Sequence, residues 1–250
     1  MWSDVVDLRD FYETSLGQMA CRVIRRRIRE IWPDLRGLRV LGIGYATPYL
    51  RGFRAEAERV LAVMPAGQGV LHWPPEGPGR VALADEAELP FPDNSIDRVV
   101  LIHALESSEQ RRAMLREIWR ILPGDGRLLA VVPNRRGIWA RLDRTPFGHG
   151  HPFTHPQLTR LLRENMFTPV KSAAALFVPP SASRMTIAAA PAWEKLGSRW
   201  FQTFAGALIV EAAKEIYAAG LARAKPQRPI FAPVPRRTVP AGGRAAREII

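Results

Sequence analysis

Five short apolar runs recur in the first half of the chain: residues 38–44 (LRVLGIG), 59–65 (RVLAVMP), 80–85 (RVALAD), 96–105 (IDRVVLIHAL) and 127–133 (RLLAVVP). Their apolar residues are contiguous rather than alternating, which is the pattern of strands covered on both faces in a parallel sheet. Before the fifth run, Met114, Leu115, Ile118, Trp119 and Leu122 make one helical stripe, Arg111, Arg112, Arg116 and Arg120 fall mostly outside it, and Pro123-Gly124 ends it. Strands alternating with helices at this spacing imply a mostly parallel sheet with helices on both sides. Ligands of such sheets lie beyond the carboxyl ends of the strands, near the switch point.

The flanking segments extend this plan. Residues 7–32 carry Leu8, Phe11, Tyr12, Leu16, Met19, Val23, Ile24, Ile28 and Ile31 at three- and four-residue steps, a helix that Pro33 stops. A helix is expected over 156–167, a strand over 167–179, an interrupted helix over 183–200, and a strand or helix over 206–217. The reading is one domain over residues 1–217, capped by helix 7–32, with a tail of 218–250 rich in Pro and Arg.

Composition narrows the class. With 47% hydrophobic and 24% charged residues the chain reads as globular, and no apolar stretch approaches the roughly 18 residues a spanning helix needs. The acidic amino terminus lacks a secretory pattern, and the single Cys21 leaves nothing for a disulfide or a cysteine cluster, so the cytoplasm is the expected compartment. A net charge of +12 suggests an anionic partner, although an arginine bias with only four lysines also arises from base composition. Arg223, Lys225, Arg228, Arg236, Arg237, Arg244 and Arg247 face only Glu248 in the tail, which makes the tail a candidate arm for a partner or for self-association.

The stretch RVALADEAELPFPDNSIDRVVLIHALE followed by LREIWRILPGDGRLLAVVPN resembles the centre of class I S-adenosylmethionine-dependent methyltransferases, of the type 11-like kind. The matching pieces are Asp85 with Leu89-Pro90-Phe91, Ser95-Ile96-Asp97, and Arg120-Ile121-Leu122-Pro123-Gly124-Asp125-Gly126; order and spacing hold over about ninety residues. The resemblance implies a Rossmann-like αβα sandwich with a seven-stranded, mostly parallel sheet whose last strand, near 205–214, is antiparallel. It implies S-adenosyl-L-methionine as cofactor. Asp85 would take the adenine amino group, with Leu89 beside the ring; without a ligand, the same acid is a turn cap. Asp97 is the structural acid that fixes the turn into the fourth strand.

Aligned on the family's glycine-rich loop, Val40-Leu41-Gly42-Ile43-Gly44-Tyr45-Ala46-Thr47-Pro48 keeps one glycine at the close approach, Gly44. Gly42 stands where the family carries an acid, and Ala46 and Pro48 replace two glycines. Thr47 is expected as N-cap of the next helix, with Pro48 at its first position. A dinucleotide fold would need a glycine where Thr47 stands. The second strand ends in Val63-Met64-Pro65, without the acid that usually grips the ribose, a loss worth ~1.5 to 3 kcal/mol for a charge-assisted bond. Another group therefore holds the ribose, or the cofactor binds weakly, or the site is degenerate.

The expected cofactor contacts are Gly42, Gly44, Tyr45, Thr47, Met64, Asp85, Glu86 and His103. Methyl transfer needs alignment and, for a protonated nucleophile, a base, and His103 is the candidate. Its competing reading is a histidine hydrogen-bonded under a strand-helix corner. Acceptor recognition falls to Glu106, Asn134, Arg135, Arg136 and Trp139, a mixture suited to an anionic or planar molecule. His149, His151 and His155 lack a helical face or a completing acid, so no metal is expected, and no Gly-x-Ser-x-Gly elbow supports a hydrolase. Three functions stay open: a methyltransferase with an unidentified acceptor (small molecule, RNA or protein), a weak or inactive methyltransferase-fold module holding a partner through its basic tail, and an RNA methyltransferase.

Overall fold

Seven strands form one sheet in the order β3-β2-β1-β4-β5-β7-β6 in a computed structural model that describes residues 4–200 and 202–216. They are β1 (Arg39–Gly44), β2 (Arg59–Pro65), β3 (Val81–Ala84), β4 (Arg98–Ile102), β5 (Arg127–Pro133), β6 (Phe167–Ala175) and β7 (Ala207–Lys214). β1 pairs in parallel with β2 and β4, β2 with β3, and β4 with β5, whereas β7 runs antiparallel to both β5 and β6. The seven-stranded, mostly parallel αβα sandwich with its last strand reversed is thus the architecture expected from the sequence. The tail, residues 218–250, lies outside the described residues.

Seven α-helices accompany the sheet among the described residues: α1 (Val5–Glu13), α2 (Ser15–Ile31), α3 (Thr47–Leu50), α4 (Arg111–Ile121), α5 (His155–Glu164), α6 (Arg184–Ala188) and α7 (Ala190–Trp200). Strand residues split by parity between two cores. Val40, Val60, Ala62, Met64, Val100 and Ile102 join α1 and α2. Leu41, Ile43, Val63, Val99 and Leu101 join α4 and α5. Alternate residues of a strand face opposite ways, so contiguous apolar runs are what two covered faces require.

Two local expectations are corrected. The expected helix 7–32 is two helices, because Thr14 ends one and starts the next: its N–H donates to Phe11 O and its side-chain oxygen accepts from Gly17 N. A Cβ on Gly17 would lie 2.0 Å from Phe11 O, so the glycine lets the second helix start against the first. The helix after β1 is a single turn, Thr47–Leu50, followed by a 3-10 turn at Arg51–Phe53; its N-cap is Ala46, with no side-chain cap, rather than Thr47. The eight residues from 51 to 58 that remain before β2 are too few for a longer helix to form and return.

Asp97 is structural, as expected. Its carboxylate accepts from Arg39 N (2.8 Å), Nε (2.9 Å) and Nη2 (2.9 Å), fastening the start of β1 to that of β4. The Arg39 guanidinium holds the Asp97 carboxyl below the usual range. Because the folded pKa is the lower one, the carboxylate stabilises the fold above its ordinary pKa of about 4 and loses that contribution as pH falls through the folded value. Asp97→Ala should cost about 1 to 3 kcal/mol at neutral pH in urea unfolding, and the gap from the native chain should close below about pH 4.

Candidate functional site

The strand order reverses between β1 and β4, so a ligand crevice is expected at their carboxyl ends. β1 leaves the sheet through Gly44, at φ +83°, and Tyr45 N donates to Ile102 O at 2.9 Å. A Cβ on Gly44 would stand 2.2 Å from Ile102 O and 2.9 Å from Ala104 Cβ; one on Gly42 would stand 2.5 Å from Ala46 Cβ. Both glycines therefore serve protein-to-protein packing, Gly44 against β4 and Gly42 against α3.

The inner end of the crevice is filled by side chains. α1 places Tyr12 so that its hydroxyl lies 2.7 Å from Tyr49 Oη and 2.7 Å from His103 Nε2, while His103 Nδ1 lies 3.1 Å from Glu106 Oε1. The Tyr12 ring stacks on Tyr45 at 5.5 Å, and the Phe147 edge meets His103 at 5.0 Å. All of these residues are buried. With a neutral imidazole the bonds are complete when Tyr49 donates to Tyr12, Tyr12 donates to Nε2, and Nδ1–H donates to Glu106. Burial pushes the Tyr12 and Tyr49 hydroxyls well above the usual phenol range, and Tyr45 up to about 12, so all three stay protonated. His103 holds φ +52°, a left-handed conformation that a non-glycine residue adopts at a cost of about 1 to 3 kcal/mol and that clusters at functional sites. Tyr12→Phe removes the hydroxyl from both neighbours and should cost about 1 to 3 kcal/mol in urea unfolding, with the fold retained by circular dichroism.

Beside this plug a cleft of about 320 Å³ stays open beyond β2, β3 and β4. Asp85, Glu86 and His103, three of the expected cofactor residues, line it together with Gln68, Ser107 and Ser108. Asp85 is exposed, and its Oδ1 accepts from Ala87 N at 2.8 Å. Glu86 accepts from Ser108 Oγ at 2.5 Å and from Gln110 N at 3.3 Å. Gln68 is buried: its Nε2 donates to His103 O at 2.9 Å, while its Oε1 has no partner. It stands three residues past the end of β2, where sequence reasoning found no ribose ligand. The signal that would have found it is a lone polar side chain in Ala66-Gly67-Gln68-Gly69.

The remaining expected residues scatter. Gly42, Gly44, Tyr45, Thr47 and Met64 do not line this cleft; Met64 is fully buried with its sulfur accepting from Leu71 N at 3.4 Å. Leu89, expected beside an adenine ring, is buried in the α4–α5 core, and Arg120 Nη2 and Glu117 Oε2 bind its carbonyl and N–H. The acceptor residues are not gathered in one place. Trp139 is a core side chain, edge-on to Phe147, with Nε1 donating to Val178 O at 2.8 Å. Glu106 is buried behind His103, and its Oε2 is unpartnered. Arg135 is exposed, with Nε donating to Pro152 O at 3.3 Å. Only Asn134 and Arg136 share a cavity, one of about 450 Å³ with Arg27, His155 and Ser172, and Asn134 Nδ2 is already committed to the Thr203 and Ala205 carbonyls. Among the described residues no three His, Cys, Asp or Glu side chains gather as a metal would require.

A reversed seventh strand on a doubly wound sheet, with a cleft between the ends of β2, β3 and β4, defines the class I S-adenosylmethionine-dependent methyltransferase fold. Residues 38–130 match the methyltransferase domain family. A demethylmenaquinone methyltransferase from Corynebacterium efficiens is 32% identical over 128 residues, covering 51% of this chain and 56% of that protein, so the match spans little more than half the relative's length. Among solved structures, the complex between the Haloferax volcanii Trm112 methyltransferase activator and a methyltransferase gives a TM-score of 0.59 at 14% identity, covering 86% of this chain and 96% of the other. An S-adenosylmethionine-dependent methyltransferase from Thermotoga maritima gives 0.57 at 16% identity, covering 84% and 96%. At such identities these structures speak to the fold.

Proposed function

We propose that the chain binds S-adenosylmethionine in the cleft beyond β2, β3 and β4 and transfers its methyl group to an acceptor. The observation that carries this is the open cleft lined by Gln68, Asp85, Glu86 and Ser108, with the exposed Asp85 carboxylate in it. Gln68 Oε1 is buried and unpartnered, which costs about 1 to 3 kcal/mol, and a rotation of the side chain into the cleft would let a ribose hydroxyl recover it. Asp85 at the end of β3 offers a free carboxylate oxygen for the adenine amino group, and its exposure leaves it accessible. These residues fit an adenosyl group in the open cleft, whereas the β1–β4 crevice is packed.

The cofactor supplies an electrophilic methyl group on a sulfonium. The chain's residues then orient the adenosyl part, exclude water and, where the acceptor carries a proton, remove it. His103 Nε2 faces Tyr12, not open space. Deprotonation at His103 therefore requires Tyr12 to leave, and Glu106 would steady the charged imidazole. The same plug favours a second reading, a methyltransferase-fold module with weak or no catalysis. We further propose the domain limits 1–217, a cytoplasmic location, and an anionic acceptor read from the chain's net positive charge.

Labelled cofactor incubated with the full chain and fractionated cell extract separates these readings. Methyl transfer predicts label in one fraction, small-molecule, RNA or protein, and its loss in Gln68→Ala. Absence of label in every fraction, alongside measurable cofactor binding, would favour the binding module.

A further inference from the structure

α7 turns the wrong face outward for a helix of a self-contained domain. Its buried positions are Ala190, Glu194 and Gly197, while Trp193, Leu196 and Trp200 are 43%, 52% and 67% exposed. Spaced by three and four, these three side chains form one stripe. They are joined by Met185 on α6, 81% exposed, and Phe204 just after α7, 62% exposed. The segment 185–204 thus holds five large exposed apolar side chains, including both exposed tryptophans among the described residues. Every other described tryptophan is buried or half-buried.

Cationic side chains surround the stripe. Lys195 and Arg199 are exposed on α7, and the Arg199 guanidinium stands 5.7 Å from the centre of the Trp200 ring. A groove of about 1040 Å³ between α2 and the α6–α7 segment is lined by Met19, Val23, Arg22, Arg26, Arg184 and Lys195, with Glu194 as the one acid among its lining residues. Tryptophan suits a boundary that is apolar on one side and wet on the other. Apolar residues on one flank of a helix with Lys and Arg on the next is the arrangement of a helix lying in a membrane interface.

We propose that α6 and α7 dock on an anionic phospholipid surface, with Trp193, Leu196 and Trp200 entering the headgroup boundary and Arg184, Lys195 and Arg199 meeting lipid phosphates. Charge selects this occupant over the alternatives within the chain. The tail carries seven basic residues against Glu248, and a second copy carries the same +12, so both would be repelled from a cationic patch. Leu196 and Met185 add aliphatic surface that a lipid accommodates and a nucleic acid does not use. No described helix is long and apolar enough to cross a membrane, so the contact is peripheral.

The test is flotation of the full chain with equimolar phosphatidylglycerol and phosphatidylcholine vesicles carrying brominated acyl chains, with tryptophan emission read alongside. The expected result is binding with emission quenched by bromine. Trp193→Ser/Leu196→Ser/Trp200→Ser should lose the quenching and about tenfold or more of the binding, with its circular dichroism retained. Should that variant fold poorly, Arg184→Gln/Lys195→Gln/Arg199→Gln keeps the stripe and should lower binding at low salt toward that on pure phosphatidylcholine. Unquenched emission in the native chain, or equal binding by native and triple-serine chains, would overturn the proposal by leaving the basic tail as the only lipid contact. A dimer in sedimentation that the triple-serine variant dissolves, or RNA retention lost in that variant with vesicle binding unchanged, would overturn it in favour of another occupant.

Discussion

Gly44→Ala should destabilise the chain by about 2 to 6 kcal/mol, enough to threaten folding of an ordinary domain. Two costs add at this position. At φ +83° an alanine pays about 1 to 3 kcal/mol for a left-handed backbone, and its methyl would meet Ile102 O at 2.2 Å, an overpacking that costs about 1 to 3 kcal/mol more. Relief by movement is denied, because the clashing atom is backbone of the central strand β4, which pairs with both β1 and β5. Urea unfolding of the variant decides between two roles for the loop. A large drop in the midpoint at unchanged slope means the glycine serves the sheet. A chain that unfolds normally but binds ligand more weakly would mean that the glycine faces a cofactor and that the packing described here is wrong.

Asp85→Ala should weaken binding of S-adenosylhomocysteine, the demethylated cofactor, by roughly tenfold to a hundredfold while leaving the fold intact. The carboxylate is exposed at an edge strand and makes one hydrogen bond, to Ala87 N, so its removal disturbs only a local turn. Toward a bound adenine it is a charged acceptor, and losing such a bond typically costs about 1.5 to 3 kcal/mol. Asp85→Asn keeps a neutral oxygen in the same turn and should fall between the native and alanine chains. Equal affinity in all three would assign Asp85 to the turn alone.

The strands were legible because burial on both faces forces contiguous apolar runs, and the motif from Asp85 to Gly126 carried the resemblance that the methyltransferase domain match over residues 38–130 repeats. The break at Thr14 was hidden because the apolar spacing continues across it: Phe11, Tyr12 and Leu16 all face inward whether or not the helix stops. The one-turn helix after β1 was hidden by good start signals, since Thr47 and Pro48 announce a helix without saying how long it runs. Motif reasoning named Asp85, Glu86 and His103 at the open cleft but could not see what fills the neighbouring crevice. Tyr12 counts as an apolar helix position in a periodicity, and only the fold brings its hydroxyl 91 residues along the chain to His103. Gln68 was missed for the opposite reason, as a polar residue in a glycine-rich loop whose value lies in one orphaned oxygen.

Calorimetric titration of the chain with S-adenosylhomocysteine tests the central claim most directly. A cleft built for an adenosyl group predicts saturable one-to-one heat that weakens in both Asp85→Ala and Gln68→Ala. No heat with ligand on the order of millimolar would contradict it and leave a methyltransferase fold whose cofactor crevice has been given over to packing.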